Sequence, residues 1–506
     1  MASVIPTNRA AFDLDQIVEV TRGKLAARGT RSSSVGVSTD TRTIIDGNLF
    51  VALKGERFDG HDHVAAAIAK GACVVVVSKV ADDLAVYGQA SVVEVPDTLE
   101  ALGLLGRAHV RRWRAARDLS STPIVAVAGS AGKTTTRRAI ATALRGVGRT
   151  VHAPVGNLNN LVGIPMVLLS LEPHHNAVVV EVGTNAPGEV RWGAGLVEPN
   201  VSVLTLIARE HTEGLGDLDS IAFEEGHVLE SLAPLSDLTS TLALVNGDDA
   251  RCTSFEMRPR APTSSAWMTY GESEKADCRV LARHSLGLDG NVLVIDVKRG
   301  EESSERIEVK TPLLGRAGAL ATSAAVAVAS RFVPAGQLSG EALSKAFDVL
   351  REEKEGGRLA PITLSNGAVL IDDSYNANRV SAESSITVAR ELAIQLKRKL
   401  VLVLGEMREL GVFSAEEHDG VGSAVVAARP EALVAVEGDA MRIHQIASTA
   451  ALTSYFEPTA VDAIARVREL AAPNVLILFK GSRGVGLDKI VSALSQPSPS
   501  SQGAPP

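Results

Sequence analysis

The sequence lacks the features that would place it outside a reducing compartment, on a nucleic acid or in a bilayer. Its three cysteines, Cys73, Cys252 and Cys278, are far apart and form no metal-like spacing. Lone cysteines of this kind serve as small core hydrophobes. A basic excess is missing as well: the formal net charge is −8, whereas a nucleic-acid-binding domain normally carries a basic face. Any phosphate affinity must therefore come from a local site. No apolar run is long enough to span a membrane, Val74 to Val77 being of strand length. Met1 to Asp15 carries charges and no apolar h-region, so no signal peptide is expected. A cytoplasmic protein without membrane insertion is the expectation. No internal repeat is found.

What is present is an ordinary globular composition, 45% hydrophobic and 22% charged over 506 residues. That length exceeds one core, and about three domains is the natural division. The most informative stretch is Gly129-Ser130-Ala131-Gly132-Lys133-Thr134-Thr135-Thr136. Before it, Ile124 to Ala128 reads as a buried strand; after it, Ala139, Ile140, Ala143 and Leu144 fall at helical spacing. Glycines between a strand and a helix let backbone N–H groups curl around phosphates at the positive helix end. Lys133 would reach the β/γ-phosphates of a nucleoside triphosphate, and the Thr134 hydroxyl would hold Mg²⁺. Two residues separate the glycines here, where the common P-loop has about four.

The strand candidates 177–182, 201–207 and 242–245 follow, with helical patterns between several of them, which implies a largely parallel sheet. Asn291 to Asp296 alternates and reads as an added antiparallel strand. A second α/β series begins near Phe332, with strands expected at 368–371, 400–404, 433–436 and 475–479, and looks Rossmann-like. The expected fold is therefore α/β: domain one over 1–96, a central P-loop parallel sheet over 97–332, a C-terminal Rossmann-like domain over 333–495, and a Ser/Pro-rich disordered tail over 496–506. His418 lies on a polar helical stretch and is expected at the surface.

Several blocks carry a resemblance. In order they are Ser38-Thr39-Asp40-Thr41-Arg42, Gly47 to Gly55, Phe58 to Asp62, the phosphate loop, Gly156-Asn157-Leu158-Asn159-Asn160, Glu181 to Asn185, Asp372-Asp373-Ser374-Tyr375-Asn376-Ala377-Asn378, Gly405-Glu406-Met407 and Lys480-Gly481-Ser482-Arg483. Together, over nearly the whole chain, they resemble the Mur ligases, ATP-dependent amide ligases whose phosphate loop has the short form seen here. Within that family they look like the branch that joins D-alanyl-D-alanine to a UDP-N-acetylmuramoyl-tripeptide. The resemblance implies the three-domain Mur architecture, ATP and Mg²⁺ as cofactors, and those two substrates as partners of a monomer. It implies that a substrate carboxylate attacks the ATP γ-phosphate, and that the dipeptide amine then displaces phosphate from the acyl phosphate. Both steps gather negative charge.

The resemblance also distributes roles. Gly129, Ser130, Gly132, Lys133, Thr134 and Thr135 would cradle ATP, with Arg358 on its phosphates and Asp373 on its ribose. Thr134, Glu181 and His211 would hold metal, and Lys133, Glu181, His211 and Glu225 would serve catalysis. Glu181 ends an apolar strand, where a carboxylate is costly unless it meets a cation. Thr41 and Arg42 would hold the UDP end, and Asn157, Asn159, Asn160, Asn376 and Asn378 the muramoyl-peptide. Ser482 and Arg483 would take the dipeptide.

Four departures stand out. Ala131 replaces an asparagine of the family's loop. Glu225, in Ile221-Ala222-Phe223-Glu224-Glu225-Gly226-His227, aligns with a lysine that the family carbamylates. A glutamate offers the same charge with about 4 Å less reach, and so becomes a candidate fourth metal ligand, directly or through water. The alternative makes it a solvated helix residue. Ala317-Gly318 replaces a His-Asn pair that touches adenine, at a cost of about 1 kcal/mol per lost hydrogen bond. Arg379 replaces a proline. Two rivals remain at this stage: a Mur-type ligase for another amine and carboxylate, and a non-catalytic paralogue.

Overall fold

The protein, described here by a computed structural model, is resolved over residues 5–496 apart from 56–57, 155, 233–240, 255, 301–302 and 354–355. The segment 497–506, most of the tail expected to lack order, lies outside the described residues.

The central sheet has nine strands. Ile124–Ala128 is an interior strand, third from one edge, paired in parallel with Ala177–Glu181 on one side and Val201–Leu204 on the other. All five residues of Ile124–Ala128 are buried. This continuous apolar run, without alternation, is what a parallel strand covered on both faces requires. The parallel order continues through Leu242–Asn246, Ala266–Gly271 and Cys278–Ser285. Asn291–Lys298 and Ser304–Thr311 then close the sheet antiparallel. As its alternation foretold, Asn291–Lys298 turns Leu293, Ile295 and Val297 into the core. A buried asparagine registers the start of Ile124–Ala128: Asn200 Oδ1 accepts from Ile124 N–H at 2.7 Å, and its amide donates to Thr122 O at 2.8 Å.

Three adjacent parallel strands thus end side by side, and the loops that leave them, after Ala128, Glu181 and Leu204, share one rim. Ligands bind at the carboxyl ends of strands in open α/β sheets. This placement is what assembles the site.

The C-terminal sheet has six strands. Val369–Asp373, Val475–Lys480, Lys399–Gly405, Ala432–Val436 and Ser454–Glu457 run parallel, with Ala360–Thr363 antiparallel at one edge. A five-stranded sheet built from Lys24–Ala27, Val37–Ser38, Leu49–Val51, Val74–Val77 and Ser91–Glu94 forms the first unit. Packing crosses both of the anticipated boundaries. Ala101, Leu102 and Leu105 of the helix Thr98–Ala115 share a core with Phe12 and Ile17. Leu338, Leu343, Phe347 and Leu350 lie in the core of the central sheet.

One expectation fails outright. His418, on the helix Ser414–Ala428, is fully buried. Its Nε2 accepts from Met407 N–H at 2.9 Å, and its Nδ1–H donates to Ser414 O at 2.7 Å. Burial pushes its pKa down. The polar neighbours Glu416 and Asp419 misled the reading, because on a helix they occupy faces other than that of His418.

Candidate active site at the central phosphate loop

The phosphate loop begins and ends on glycines in the left-handed half of backbone space, Gly129 at φ +124° and Gly132 at φ +83°. They serve opposite purposes. A Cβ on Gly129 would lie 2.3 Å from Thr205 Oγ1, so the residue is fixed by close packing. A Cβ on Gly132 would meet nothing nearer than Thr136 Oγ1 at 4.0 Å, so that side of the loop opens outward. Gly132 caps the helix Lys133–Gly146, which therefore presents its N-terminal amides at the loop. Thr205 ties the loop down, accepting no slack: its hydroxyl donates to Ala131 O at 2.7 Å.

Lys133 Nζ donates to Gly129 O at 2.6 Å and pairs with Glu210 Oε1 at 3.1 Å. Both side chains are nearly buried. Glu225 lies fully buried on the helix Leu218–Glu230, and its Oε2 accepts from Gly129 N–H at 2.7 Å. The reading of Glu225 as a solvated helix residue is excluded. Its neighbour Glu224 does different work: it accepts from the N–H groups of Gly188 and Val190, both at 2.8 Å, at the start of the helix Glu189–Val197.

Glu181 is buried at the strand end, and the cation it meets is Arg137, 3.5 Å away on the phosphate-loop helix. Asn159 Nδ2 donates to its other oxygen at 2.9 Å. His211 stands at φ +51° after the third strand. Its Nδ1 contacts the carboxylate of Glu409 from the C-terminal unit, and its Nε2 is 4.0 Å from Glu210. Arg209, in the same loop, pairs with Glu416 at 2.9 Å and Glu417 at 3.0 Å and stands over the Phe413 ring. Arg358 reaches in from the C-terminal unit, its Nη2 donating to Thr134 Oγ1 at 3.0 Å.

Other expected site residues lie farther out and have structural partners. Asp373 accepts from Leu359 N–H at 3.1 Å, Ser385 Oγ at 2.6 Å and Lys480 Nζ at 2.8 Å. Asn160 accepts from Gly163 N–H at 2.7 Å at the start of a helix, and Asn378 caps the helix Arg379–Gln395. Ser482 Oγ accepts from Arg408 N–H at 2.9 Å, while Arg483 and Asn376 are exposed. Asn157 is half-buried near Asn159 in sequence. Thr41 and Arg42 lie on the first unit, where Arg42 pairs with Asp40 at 2.6 Å.

Thr134, Glu181, His211 and Glu225 do not form one chelating cluster: among the described residues no three His, Cys, Asp or Glu side chains do so. The residues nevertheless fit a nucleotide phosphate with a divalent cation. Ser130 Oγ and Glu225 Oε1 are buried polar atoms without a hydrogen-bond partner, and Glu181 Oε2 has only its ionic contact. Mg²⁺ typically takes one or two protein carboxylates and completes its shell with phosphates and water. Sequence reasoning missed Glu210 and Arg137. Glu210 is adjacent to His211, and Arg137 is one helical turn beyond Lys133 on an otherwise apolar face; both signals were available.

Family models match along the chain in order: the Mur ligase family catalytic domain over 34–110, the Mur ligase middle domain over 127–329 and the Mur ligase glutamate ligase domain over 357–483. The chain is similar to the UDP-N-acetylmuramoyl-tripeptide–D-alanyl-D-alanine ligase of Escherichia coli, 32% identical over 96% of this chain and 98% of the relative. It is similar to the enzyme of the same name from Bacillus subtilis at 30%, over 94% and 97%. Among solved structures, MurF from Acinetobacter baumannii superposes with a TM-score of 0.81 at 27% identity, covering 96% of this chain and 99% of that one.

Burial pushes the Glu225 carboxyl up to about 7, with Lys133 opposing the shift and Glu210 adding to it. Burial alone would lower Lys133, yet Glu210, Glu225 and Glu181 together hold it above its ordinary value. The sign for Glu225 follows. The folded chain binds this proton more tightly than the unfolded chain, so its contribution to stability is full below 4.5 and declines as pH rises to about 7. Glu225→Gln keeps an acceptor for Gly129 and removes the titration. Its thermal midpoint, relative to that of the unsubstituted protein, should rise between about pH 5 and about pH 8. A constant difference across that range in a melting series would show that Glu225 does not titrate there.

Proposed function

The chain is a member of the Mur ligase family, and from that premise we propose how its residues carry out the ATP-dependent joining of D-alanyl-D-alanine to UDP-N-acetylmuramoyl-tripeptide. The observation that carries the reading is the meeting of Lys133, Glu181, His211 and Arg358 around one phosphate loop, with Arg358 supplied by a different unit from the rest. The tripeptide carboxylate attacks the ATP γ-phosphorus; the bond to the β,γ-bridging oxygen breaks and ADP departs. The dipeptide amine adds to the acyl phosphate, and the tetrahedral intermediate collapses with loss of inorganic phosphate and one proton.

Lys133 meets the β- and γ-phosphates, exchanging or sharing its Glu210 partner. Arg358 neutralises charge on the transferring group. Thr134, Glu181 and His211 would hold Mg²⁺, which when bound supplies charge neutralisation at the phosphates. Glu225, through its unpartnered Oε1, would add a carboxylate to this set, directly or through water. Asp373, whose oxygens anchor Leu359 and Lys480, contributes by fixing the Arg358 loop and keeps acceptor capacity for ribose hydroxyls. Thr41 and Arg42 receive the uridine diphosphate end; Asn157, Asn159 and Asn376 the muramoyl-peptide; Ser482 and Arg483 the dipeptide. A UDP-linked substrate and ATP suit a reaction in the cytoplasm. No helix of the described residues is long and apolar enough to cross a membrane.

The direct test is phosphate release from ATP in the presence of Mg²⁺, UDP-muramoyl-tripeptide and D-alanyl-D-alanine, with the joined product followed by mass. Product should form, and Lys133→Ala should lower kcat by about 10²–10³-fold or more. Phosphate release without joined product would overturn the substrate assignment. A second outcome concerns Glu225: activity in CO₂-depleted buffer should be unchanged by added bicarbonate, and stimulation would mean that a carbamate forms elsewhere in the site.

A third concerns the base. Ala317 is exposed in the first turn of the helix Gly315–Arg331 and has no hydrogen-bonding group to offer adenine. A side chain at Gly318 would lie 2.6 Å from the Leu313 backbone. Rates with GTP should therefore fall within about tenfold of those with ATP, the ratio that one or two lost hydrogen bonds allow. Strict ATP dependence with tight binding would refute this.

A further inference from the structure

We propose that Tyr375 is a positioning residue that sets two arginines at once, Arg358 on the nucleotide side and Arg483 on the dipeptide side. The Arg358 guanidinium stands over the Tyr375 ring at 4.1 Å from its centroid, and the Arg483 guanidinium stands over the same ring at 4.9 Å. The proposal rests on the ligand assignments given above for these two arginines; the role of the tyrosine is additional to them.

The ring is held on a rigid base. Tyr375 follows the strand Val369–Asp373, and its N–H donates to Gly357 O at 3.2 Å. Gly357, at φ +80°, approaches so closely that a Cβ there would lie 2.9 Å from Tyr375 N. The two aspartates before the tyrosine anchor the same turn, Asp372 accepting from Gly357 N–H at 3.0 Å and Asp373 from Leu359 N–H at 3.1 Å. On the other side, Ser482, adjacent to Arg483, donates its N–H to Glu406 O at 3.0 Å. Two loops from opposite ends of the sequence of this unit therefore deliver one guanidinium each to one ring.

An arginine has several rotatable bonds, and fixing them on ligand binding opposes affinity. A half-buried aromatic face that attracts the guanidinium restricts those rotamers beforehand. Because one ring serves both arginines, its loss should weaken two ligands that bind to different ends of the unit. The phenolic hydroxyl plays no part in this contact, which needs only the face of the ring. A purely structural role, or a role in one ligand site, makes a different pattern.

The experiment measures ADP binding by calorimetry and D-alanyl-D-alanine KM in the ligation assay, for the unsubstituted full chain and for Tyr375→Phe, Tyr375→Leu and Tyr375→Met. The two aliphatic variants should lose about five- to tenfold in both quantities, the size of a partly buried cation–π contact expressed as an affinity ratio. Tyr375→Phe should restore both to near the unsubstituted values, with kcat little altered. Loss of one ligand only, equal loss in Tyr375→Phe, or no loss in the aliphatic variants would overturn the proposal. If Tyr375→Leu fails to fold, Tyr375→Met carries the comparison. The functional reading fails separately, through absence of joined product from the unsubstituted chain. In that case ADP binding and binding of the dipeptide by calorimetry still decide the role of Tyr375.

Discussion

The constraint on which this molecule turns is the placement of ionic groups at the carboxyl end of a sheet whose strands are apolar throughout. Ile124–Ala128, Ala177–Glu181 and Val201–Leu204 have no exposed face, so a charge at their ends is expensive unless it finds a partner. The protein answers with pairs. Lys133 is matched by Glu210, Glu181 by Arg137, and Gly129 N–H by Glu225. Each pair includes a group suited to a phosphate or a cation. Ligand affinity is thus a difference between two sets of contacts: a phosphate that takes Lys133 must displace Glu210 or share the lysine with it. The arrangement lets a densely charged site exist within a well-packed sheet while keeping its ligands exchangeable.

The same logic extends between units. Arg358 reaches Thr134, Glu409 reaches His211, and Glu416 and Glu417 reach Arg209. All three receiving residues belong to loops or helix starts at the carboxyl ends of central strands. The C-terminal unit therefore contacts the central one at the groups proposed for chemistry, in addition to apolar surfaces. Movement of one unit against the other would change the partners of Thr134 and His211 together. Any closure of the units would then assemble the site in the same step, as is common where a site is divided between domains.

Much of this was legible in the sequence, and the reasons can be stated. The parallel sheet was legible because its strands are short, continuously apolar and punctuated by glycine or by acidic residues, as at Gly129 and Glu181. The candidate site was legible where chemistry demands a rare combination, as in Gly-Lys-Thr-Thr or a glutamate closing a valine run. Partners were not legible. Nothing in the sequence pairs Lys133 with Glu210, seventy-seven positions away, or Tyr375 with Arg358 and Arg483, because such contacts depend on the folding of separate loops onto one rim. The unit boundaries were blurred for a related reason. The helix holding Leu343 and Phe347 follows the central sheet's last helix by a short link and packs back on the central core, and periodicity reports an apolar face without saying against which sheet it is buried. His418 shows the converse error, a polar neighbourhood in sequence that is a buried position in space.

The asparagines and acids of the expected ligand set carry the last step. Asn378 and Asn160 each use a side-chain oxygen on a helix N-terminus, and Asp372 and Asp373 anchor the turn that carries Arg358. The motif Asp-Asp-Ser-Tyr-Asn-Ala-Asn therefore builds scaffold as well as carrying the ligand groups proposed for it. Its aspartates hold a neighbouring turn, its last asparagine begins a helix, and its tyrosine faces the two arginines. Substitution of an aspartate here would act first on where Arg358 stands, and only through that on the phosphates. Backbone anchoring of this kind explains why short polar residues, rather than long flexible ones, occupy the motif. Each reaches a backbone N–H close by in space with little conformational freedom to lose. The long cationic side chains are left to span the distance to the ligand.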